Sequence, residues 1–323
     1  MNKTNKWIAV IVVAVVILGA VSFIGYNYYA KPKAKGQDIT INSSQSNISA
    51  VKATRIVSLD PAATATLYAL GAYKYVVGSC TYATYPTNNL PNVSAFENMN
   101  IEEIYNLSAN TVISFNDYQQ SQINQLTEEG INYIFLSSGA NSTFKDIERQ
   151  NTLLGEITGT EKNATKLNAW INASLEDFQN LSVTSKSFLY AMCVCAGGKT
   201  ETAGNSTFDN SIFSYAHLIN IANQTGYYQI SRETIVNSNP QVILLGQYFN
   251  VSDLDQEPYD STSAYKNNSI YTISSSTLND IFDEPNFRDI FAIEWLIDQV
   301  YGVKVAIPPF PMDLKQNPAP SYN

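Results

Sequence analysis

The sequence has little of what most enzymes and nucleic-acid-binding proteins require. Its 323 residues include one histidine, and 28 acidic side chains outnumber 19 basic ones, giving a net charge of −9. A single histidine nearly excludes a histidine-built zinc site and most histidine-dependent catalysis. The acidic balance argues against nucleic acid, since backbone phosphates are bound by clustered lysines and arginines. We therefore predict a protein that is not an enzyme, binds no nucleic acid and holds no metal or cofactor of its own.

The three cysteines are too few to predict a disulfide framework. Cys193 and Cys195 lie two residues apart in an apolar, strand-like segment, so their side chains should point to the same face of the strand. This arrangement favours buried free thiols over a strained bridge between the two. A bridge from Cys80 to either of them is the alternative.

The first 30 residues contain the longest hydrophobic run. Residues 7–24, WIAVIVVAVVILGAVSFI, carry no charge and are just long enough to cross a bilayer as a helix. We interpret residues 1–30 as a transmembrane helix that anchors the protein, with a cleaved secretion signal as the alternative. Residues 31–53 are rich in Ser and Asn and should form a flexible linker.

Sequons for N-glycosylation are frequent in the rest of the chain. Twelve Asn-x-Ser/Thr sites occur from Asn42 onward, which predicts an exported glycoprotein at the cell surface, on the extracellular or periplasmic side. An Asn- and Ser-rich composition would produce the same pattern without glycosylation.

The body of the chain alternates strand and helix patterns. Residues 55–59 form a short apolar run, Asp60 and Pro61 are typical of a helix start, and 62–70 have helical character. Another apolar run follows at 75–78. This alternation predicts an α/β fold with mainly parallel sheets.

An internal repeat with an offset of 131 residues predicts two similar lobes. Glu102 precedes an apolar run at 111–115, and Glu233 precedes another at 242–245. The predicted parts are an N-terminal α/β lobe at 54–158, a connecting helix at 159–184, a C-terminal α/β lobe at 185–305 and a Pro-rich tail at 306–323. Apolar residues at three- and four-residue steps predict the helix, which would join the lobes rigidly. Ligands of parallel sheets bind beyond the carboxyl ends of the strands, so a cleft between the lobes is expected.

Several segments resemble a known family of transport proteins. RIVSLDPAATATLYALG, SAFENMNIEEIYNLSANTVISF, YYQISRETIVNSNPQVILL and FAIEWLIDQVYG resemble the substrate-binding proteins of ABC importers for cobalamin and iron–siderophore complexes, the cobalamin type most closely. The resemblance implies two Rossmann-like lobes joined by one long rigid helix. It also implies a monomer that captures a corrinoid or ferric siderophore in the cleft and delivers it to an ABC permease dimer.

The resemblance also implies a set of ligand-binding residues. An aromatic cage from both lobes would hold the chelate, at the matching positions Tyr82, Phe96, Phe115 and Tyr227. Flat apolar side chains suit a large planar ring. The alternative for Phe96 and Phe115 is an ordinary core position at a strand end.

The family also places one glutamate on each lobe to dock the permease, and these match Glu102 and Glu233. The alternative is that both are acids favoured by the helix N-terminus.

The sequence departs from the family where Ala65, instead of a glutamate, follows Thr64. The scarcity of arginine favours a nearly neutral chelate. An alternative function is a surface adhesion glycoprotein that retains the scaffold without a transport ligand.

Overall fold

The computed structural model describes residues 39–41, 51–95, 98–116, 118–136, 143–195 and 199–320. These residues form two compact units. The N-terminal unit takes the described residues up to Asn180, together with Ile281–Phe291 and those from Ala306 onward. The C-terminal unit takes Leu181–Asp280 and Ala292–Val305.

The N-terminal unit contains one seven-stranded sheet. Its strands run in the order β1-β7-β6-β2-β3-β4-β5, and the inner pairs β7–β6, β6–β2, β2–β3 and β3–β4 are parallel. Antiparallel strands close both edges. The bounds are β1 Ile39–Ile41, β2 Ile56–Ser58, β3 Val76–Cys80, β4 Asn92–Ala95, β5 Asn98–Met99, β6 Thr111–Ser114 and β7 Asn132–Leu136.

The C-terminal unit contains two sheets. One is parallel throughout, in the order β11-β8-β13-β14, and the other is a small antiparallel sheet in the order β12-β10-β9. The bounds are β8 Lys186–Ala191, β9 Cys193–Cys195, β10 Lys199–Ala203, β11 Leu218–Asn220, β12 Tyr227–Ile230, β13 Val242–Leu245 and β14 Ile270–Thr272.

Helices flank the parallel strands along the chain. In chain order they are α1 Pro61–Ala69, α2 Ile101–Asn106, α3 Gln120–Glu128, α4 Phe144–Thr158, α5 Glu161–Gln179, α6 Phe208–Tyr215, α7 Arg232–Ser238, α8 Ser263–Lys266, α9 Ser276–Asp283 and α10 Asp289–Tyr301. The prediction of an α/β fold with mainly parallel sheets is confirmed.

The chain around Asp60 folds as its sequence predicts. The Asp60 side chain accepts a hydrogen bond from the Ala63 amide at 3.2 Å and begins α1, with Pro61 as the first helical residue. Proline is tolerated there because its missing N–H would have no partner within the helix. The buried strand β2 precedes this cap directly, so Asp60 lies at the carboxyl end of a central strand.

The internal repeat is visible in the strand pairing. In the N-terminal unit, β6 follows α2 and lies parallel beside β2. In the C-terminal unit, β13 follows α7 and lies parallel beside β8. The repeated sequence thus folds into the same helix–strand arrangement twice.

The amphipathic helix predicted within 159–184 is α5, and its 19 residues make it about 28 Å long. Its apolar stripe, which includes Leu167, Trp170 and Phe178, is buried. Asn151 of α4 donates a hydrogen bond to Asn168 of α5 at 2.9 Å. The role of this helix as a rigid connector of two lobes stays a prediction.

The predicted membrane anchor at 1–30 lies outside the described residues. Within the described part of the chain, no helix is both long and apolar enough to span a membrane.

The prediction of free thiols at Cys193 and Cys195 is wrong, because the two form a disulfide. Their Cα atoms are 5.3 Å apart, whereas an extended strand would separate them by about 6.6 Å. This local contraction brings the two Cα atoms close to the separation that is most common in disulfides. The proposed alternative bridge from Cys80 is also wrong, since Cys80 is free and buried.

These thiol states predict a clear labelling pattern. We expect iodoacetamide to modify no cysteine of the native protein at pH 7.5, and to modify Cys193 and Cys195 after mild reduction. Cys80 should stay unmodified in both cases, because burial raises the pKa of its thiol to about 12 and the thiolate is the reactive form. Peptide mass spectrometry measures the result. Labelling of Cys80 in the folded, reduced protein would contradict this assignment.

Candidate ligand-binding site

Two of the predicted ligand residues lie at one edge of the N-terminal sheet. Tyr82 follows the end of β3 and its side chain is 50% exposed. Phe115 follows the end of β6 and is half-buried. Both strands are parallel neighbours of β2, so their carboxyl ends lie at the same edge, about 10 Å apart. Phe96, the third predicted residue of this unit, lies outside the described residues.

Hydrogen bonds fix the backbone on both sides of Phe115. The Asn116 amide donates to Ser114 Oγ at 3.0 Å, and Tyr133 donates its hydroxyl hydrogen to the Asn116 carbonyl at 3.0 Å. The buried Tyr118 shares a 2.8 Å hydrogen bond with Ser94 at the end of β4. Burial raises the pKa of the Tyr118 hydroxyl above its ordinary value, which keeps the phenol neutral. The carboxyl edge of this sheet is therefore a preorganised surface with Tyr82 exposed on it.

The fourth predicted residue, Tyr227, begins β12 of the small antiparallel sheet and is 37% exposed. The register pairs Tyr227 with Ala203, and Gln229 with Glu201. On the other side of β10, Glu201 pairs with Cys193. Because side chains alternate across a strand, this register assigns every residue to one of two faces.

The two faces of this sheet differ in character. One packs into the apolar core of the C-terminal unit and carries Val194, Thr200, Thr202, Tyr228 and Ile230. The opposite face, called the outer face below, carries Lys199, Glu201, Tyr227, Gln229 and the Cys193–Cys195 disulfide. Lys199, Tyr227 and Gln229 are exposed on it.

A buried carboxylate lies against Tyr227. The Tyr227 hydroxyl donates a hydrogen bond to Asp209 Oδ2 at 2.7 Å, and Asp209, near the start of α6, is only 2% exposed. Burial raises the pKa of Asp209 to about 6, although the hydrogen bond from Tyr227 opposes this effect. Asp209 thus orients the ring of the predicted ligand residue. The sequence analysis did not find it, because nothing in the pattern FDNSIF shows that this aspartate is buried.

The raised pKa of Asp209 predicts a pH-dependent stability. The folded pKa of about 6 exceeds the ordinary value of 3.8, so this carboxyl stabilises the fold fully below pH 3.8 and the stabilisation is lost as the pH rises through about 6. The loss amounts to at most about 1.4 kcal/mol per pH unit. Asp209→Asn should reduce this dependence of stability on pH, which is measured as the urea midpoint of unfolding at each pH from 4 to 7. Burial also raises the pKa of Asp289. Asp289 is present in both the wild type and Asp209→Asn, so its contribution cancels when their stabilities are subtracted at each pH. If the urea midpoints of the wild type and Asp209→Asn changed equally with pH, the raised pKa of Asp209 would be contradicted.

A further exposed aromatic residue was missed by the sequence analysis. Tyr248 lies three residues after the end of β13 and is 55% exposed. Since β13 repeats β6, Tyr248 lies beyond the carboxyl end of the strand that corresponds to the one before Phe115. The internal repeat was the signal that could have identified it.

The two predicted docking glutamates occupy equivalent places. Glu102 and Glu233 are both exposed and lie in the first turns of α2 and α7. Asn100 and Ser231 cap these helices. The positions therefore suit both interpretations, docking and helix-dipole stabilisation. Glu233 also lines a cavity of about 380 Å³ with Arg232, Val236 and Pro258 among its other lining residues.

Comparisons with known proteins agree with the family resemblance. The family described as Periplasmic binding protein matches residues 56–277. A Bacillus subtilis protein described as an uncharacterized ABC transporter substrate-binding lipoprotein, YvrC, is 26% identical over 313 residues, 93% of this chain and 98% of its own. A cobalamin-binding protein of Halobacterium salinarum is 28% identical over 227 residues, covering 67% of this chain and 58% of its own. The periplasmic heme-binding protein HutB of Vibrio cholerae shares the fold, with a TM-score of 0.70 and 21% identity over 77% of this chain and all of HutB.

Proposed function

Since the chain belongs to the Periplasmic binding protein family, we propose that it is an extracellular solute-binding protein that captures a metal chelate, either a corrinoid or a ferric siderophore, and delivers it to an ABC permease. The observation that carries this proposal is the exposure of Tyr82 and Tyr227, one on each unit. An exposed tyrosine ring provides a flat apolar contact surface with a polar hydroxyl at its tip. A planar metal chelate is a suitable partner for such rings.

The named relatives support a metal-chelating macrocycle as the ligand. One relative is named for cobalamin binding and a structural neighbour for heme binding. Both ligands are large, flat rings around a metal ion, the shape that aromatic contacts favour.

The use of the arginines supports a nearly neutral ligand. Arg55 donates to the Leu107 and Ser108 carbonyls at the end of α2, and Arg149 forms a salt bridge with Asp146. Arg232 donates to the Glu257 carbonyl at 2.6 Å. The buried Arg288 donates to the Pro318 carbonyl at 3.0 Å and lies 4.3 Å from the Tyr85 ring. All four arginines of the chain thus have structural partners, whereas an anionic siderophore would call for several arginines directed at it.

Delivery to a permease would use Glu102 and Glu233. Two carboxylates on repeated helices are suited to a permease dimer that presents one basic group from each subunit. In this proposal the protein works as a monomer at the cell surface, held by the apolar segment at 7–24.

Calorimetric titration tests the proposal. The full-length protein in mild detergent would be titrated with cyanocobalamin, hemin, a ferric hydroxamate and a ferric catecholate. We expect one-to-one binding with micromolar or tighter affinity for a macrocycle or the hydroxamate, and weaker binding of the catecholate. A folded protein that binds none of the four would overturn the proposal and favour the adhesion alternative.

A further inference from the structure

The outer face of the small antiparallel sheet combines an exposed aromatic ring with a hydrogen-bonding pair. We propose that this face is the ligand-contact surface of the C-terminal unit, and that Glu201 makes it selective for a corrinoid, whose edge carries amide N–H donors, over haem, whose edge carries ionised carboxylates. The inference rests on the proposed function and specifies its ligand.

Glu201 lies beside Tyr227 on the outer face. The register pairs Tyr227 with Ala203, and Glu201 lies two residues from Ala203 on the same face. Two residues along a strand span about 7 Å. A ring that stacks on Tyr227 and extends along β10 would therefore bring its edge over Glu201.

The Glu201 carboxylate has hydrogen-bonding capacity beyond its contact with Gln229. Gln229 Nε2 donates to Glu201 Oε1 at 3.1 Å, which orients the carboxylate across the strand pair. An ionised carboxylate offers about four acceptor positions, so most of its capacity remains for ligand donors. The side chain is only partly exposed, and a partly desolvated carboxylate gains most from a donor and loses most from a second negative charge.

The charged groups around the outer face include more than Glu201. Asp209 accepts the hydrogen bond from the Tyr227 hydroxyl and, although buried, adds a second carboxyl group to the same region. Lys199 is the one basic side chain that the register places on the outer face among the described residues, and it is exposed. Its charge is therefore well screened by water. An anionic ligand edge would face the Glu201 carboxylate with the buried Asp209 carboxyl group nearby, whereas an edge of neutral amides could donate hydrogen bonds to Glu201.

The disulfide completes the surface on the far strand. Cys193 pairs with Glu201 in the register, so the Cys193–Cys195 bridge lies beside the carboxylate on the outer face. Both residues are half-buried. Their sulfur atoms provide an uncharged, polarizable surface against which the body of a ring can pack.

The test compares two tetrapyrrole ligands with different edge chemistry. Cyanocobalamin and hemin would be titrated into the full-length protein, into Glu201→Gln and into Asp260→Asn. Asp260 is an exposed acid of the same unit outside the outer face, and its replacement makes the same change in net charge. We expect the wild type to bind cyanocobalamin at least 10-fold more tightly than hemin. Glu201→Gln should reduce this ratio 5- to 10-fold, mainly by strengthening hemin binding, while Asp260→Asn should leave it unchanged.

Two results would overturn the inference while the proposed function stands. One is a wild type that binds hemin as tightly as cyanocobalamin. The other is an equal change of the ratio in Glu201→Gln and Asp260→Asn, which would show that only net charge matters. A wild type that binds no chelate at all would instead overturn the proposed function, and this inference with it. Gln229→Ala is a second variant, expected to weaken cyanocobalamin binding about 3-fold because Glu201 loses its orienting donor.

Discussion

Replacing Tyr227 by alanine is expected to weaken chelate binding 10- to 100-fold. The ring is exposed, lies at the start of β12 and is held by the hydrogen bond from its hydroxyl to Asp209. Truncation removes the flat surface, and aromatic anchors of this kind dominate binding energy in many complexes. Tyr82→Ala should have an effect of similar size through the N-terminal unit. Calorimetric titration with cyanocobalamin measures both.

Two matched variants separate the contribution of the ring from other causes. Tyr227→Phe keeps the ring and removes the hydroxyl, so we expect a loss of less than about 5-fold together with a further rise in the pKa of Asp209, because the hydrogen bond from Tyr227 lowers that pKa. Ile219→Ala removes another exposed apolar side chain of the C-terminal unit and should bind like the wild type. Equal affinities of Tyr227→Ala and Ile219→Ala would show that Tyr227 does not contact the ligand.

The predictable parts of the fold are those with local signals. Asp60 followed by Pro61 specifies the start of α1 within a few residues, and a hydrophobic stripe at three- and four-residue spacing specifies α5. The repeat around Glu102 and Glu233 predicted two equivalent helix–strand units because each copy carries its own pattern of cap, helix and strand. These features depend on interactions between residues close in sequence.

The features that were missed depend on distant partners. The outer face exists because β10 pairs with β12, which brings Glu201 beside Gln229 across 28 positions of chain. Asp209 is buried only because other segments cover it. No periodicity in the sequence encodes such pairings, so the sequence predicted Tyr227 as a ligand residue without the carboxylates beside it.

The connection between β10 and α6 predicts a second large effect, at Gly204. The Gly204 amide donates to the Gly226 carbonyl at 2.9 Å, and a Cβ atom on Gly204 would lie 1.9 Å from the Gln224 carbonyl oxygen. Such a contact forces the backbone of the turn before Tyr227 to move. Gly204→Ala should therefore lower the free energy of unfolding by about 3 kcal/mol or more, and should weaken cyanocobalamin binding by displacing Tyr227 from Asp209.

The control for this substitution is Gly302→Ala in the same unit. Gly302 has a φ of +65° but open space around its Cβ position, so alanine there costs only the left-handed backbone conformation, about 1 kcal/mol. Urea unfolding of both variants measures the difference, and calorimetry measures the ligand affinity. Because the turn at 224–226 and the start of α6 together hold Tyr227 against Asp209, Gly204→Ala should impair stability and binding together, whereas Gly302→Ala should affect stability alone. A Gly204→Ala protein as stable as Gly302→Ala would contradict this prediction, because it would show that the turn at 224–226 accommodates the added Cβ atom at a cost of only about 1 kcal/mol.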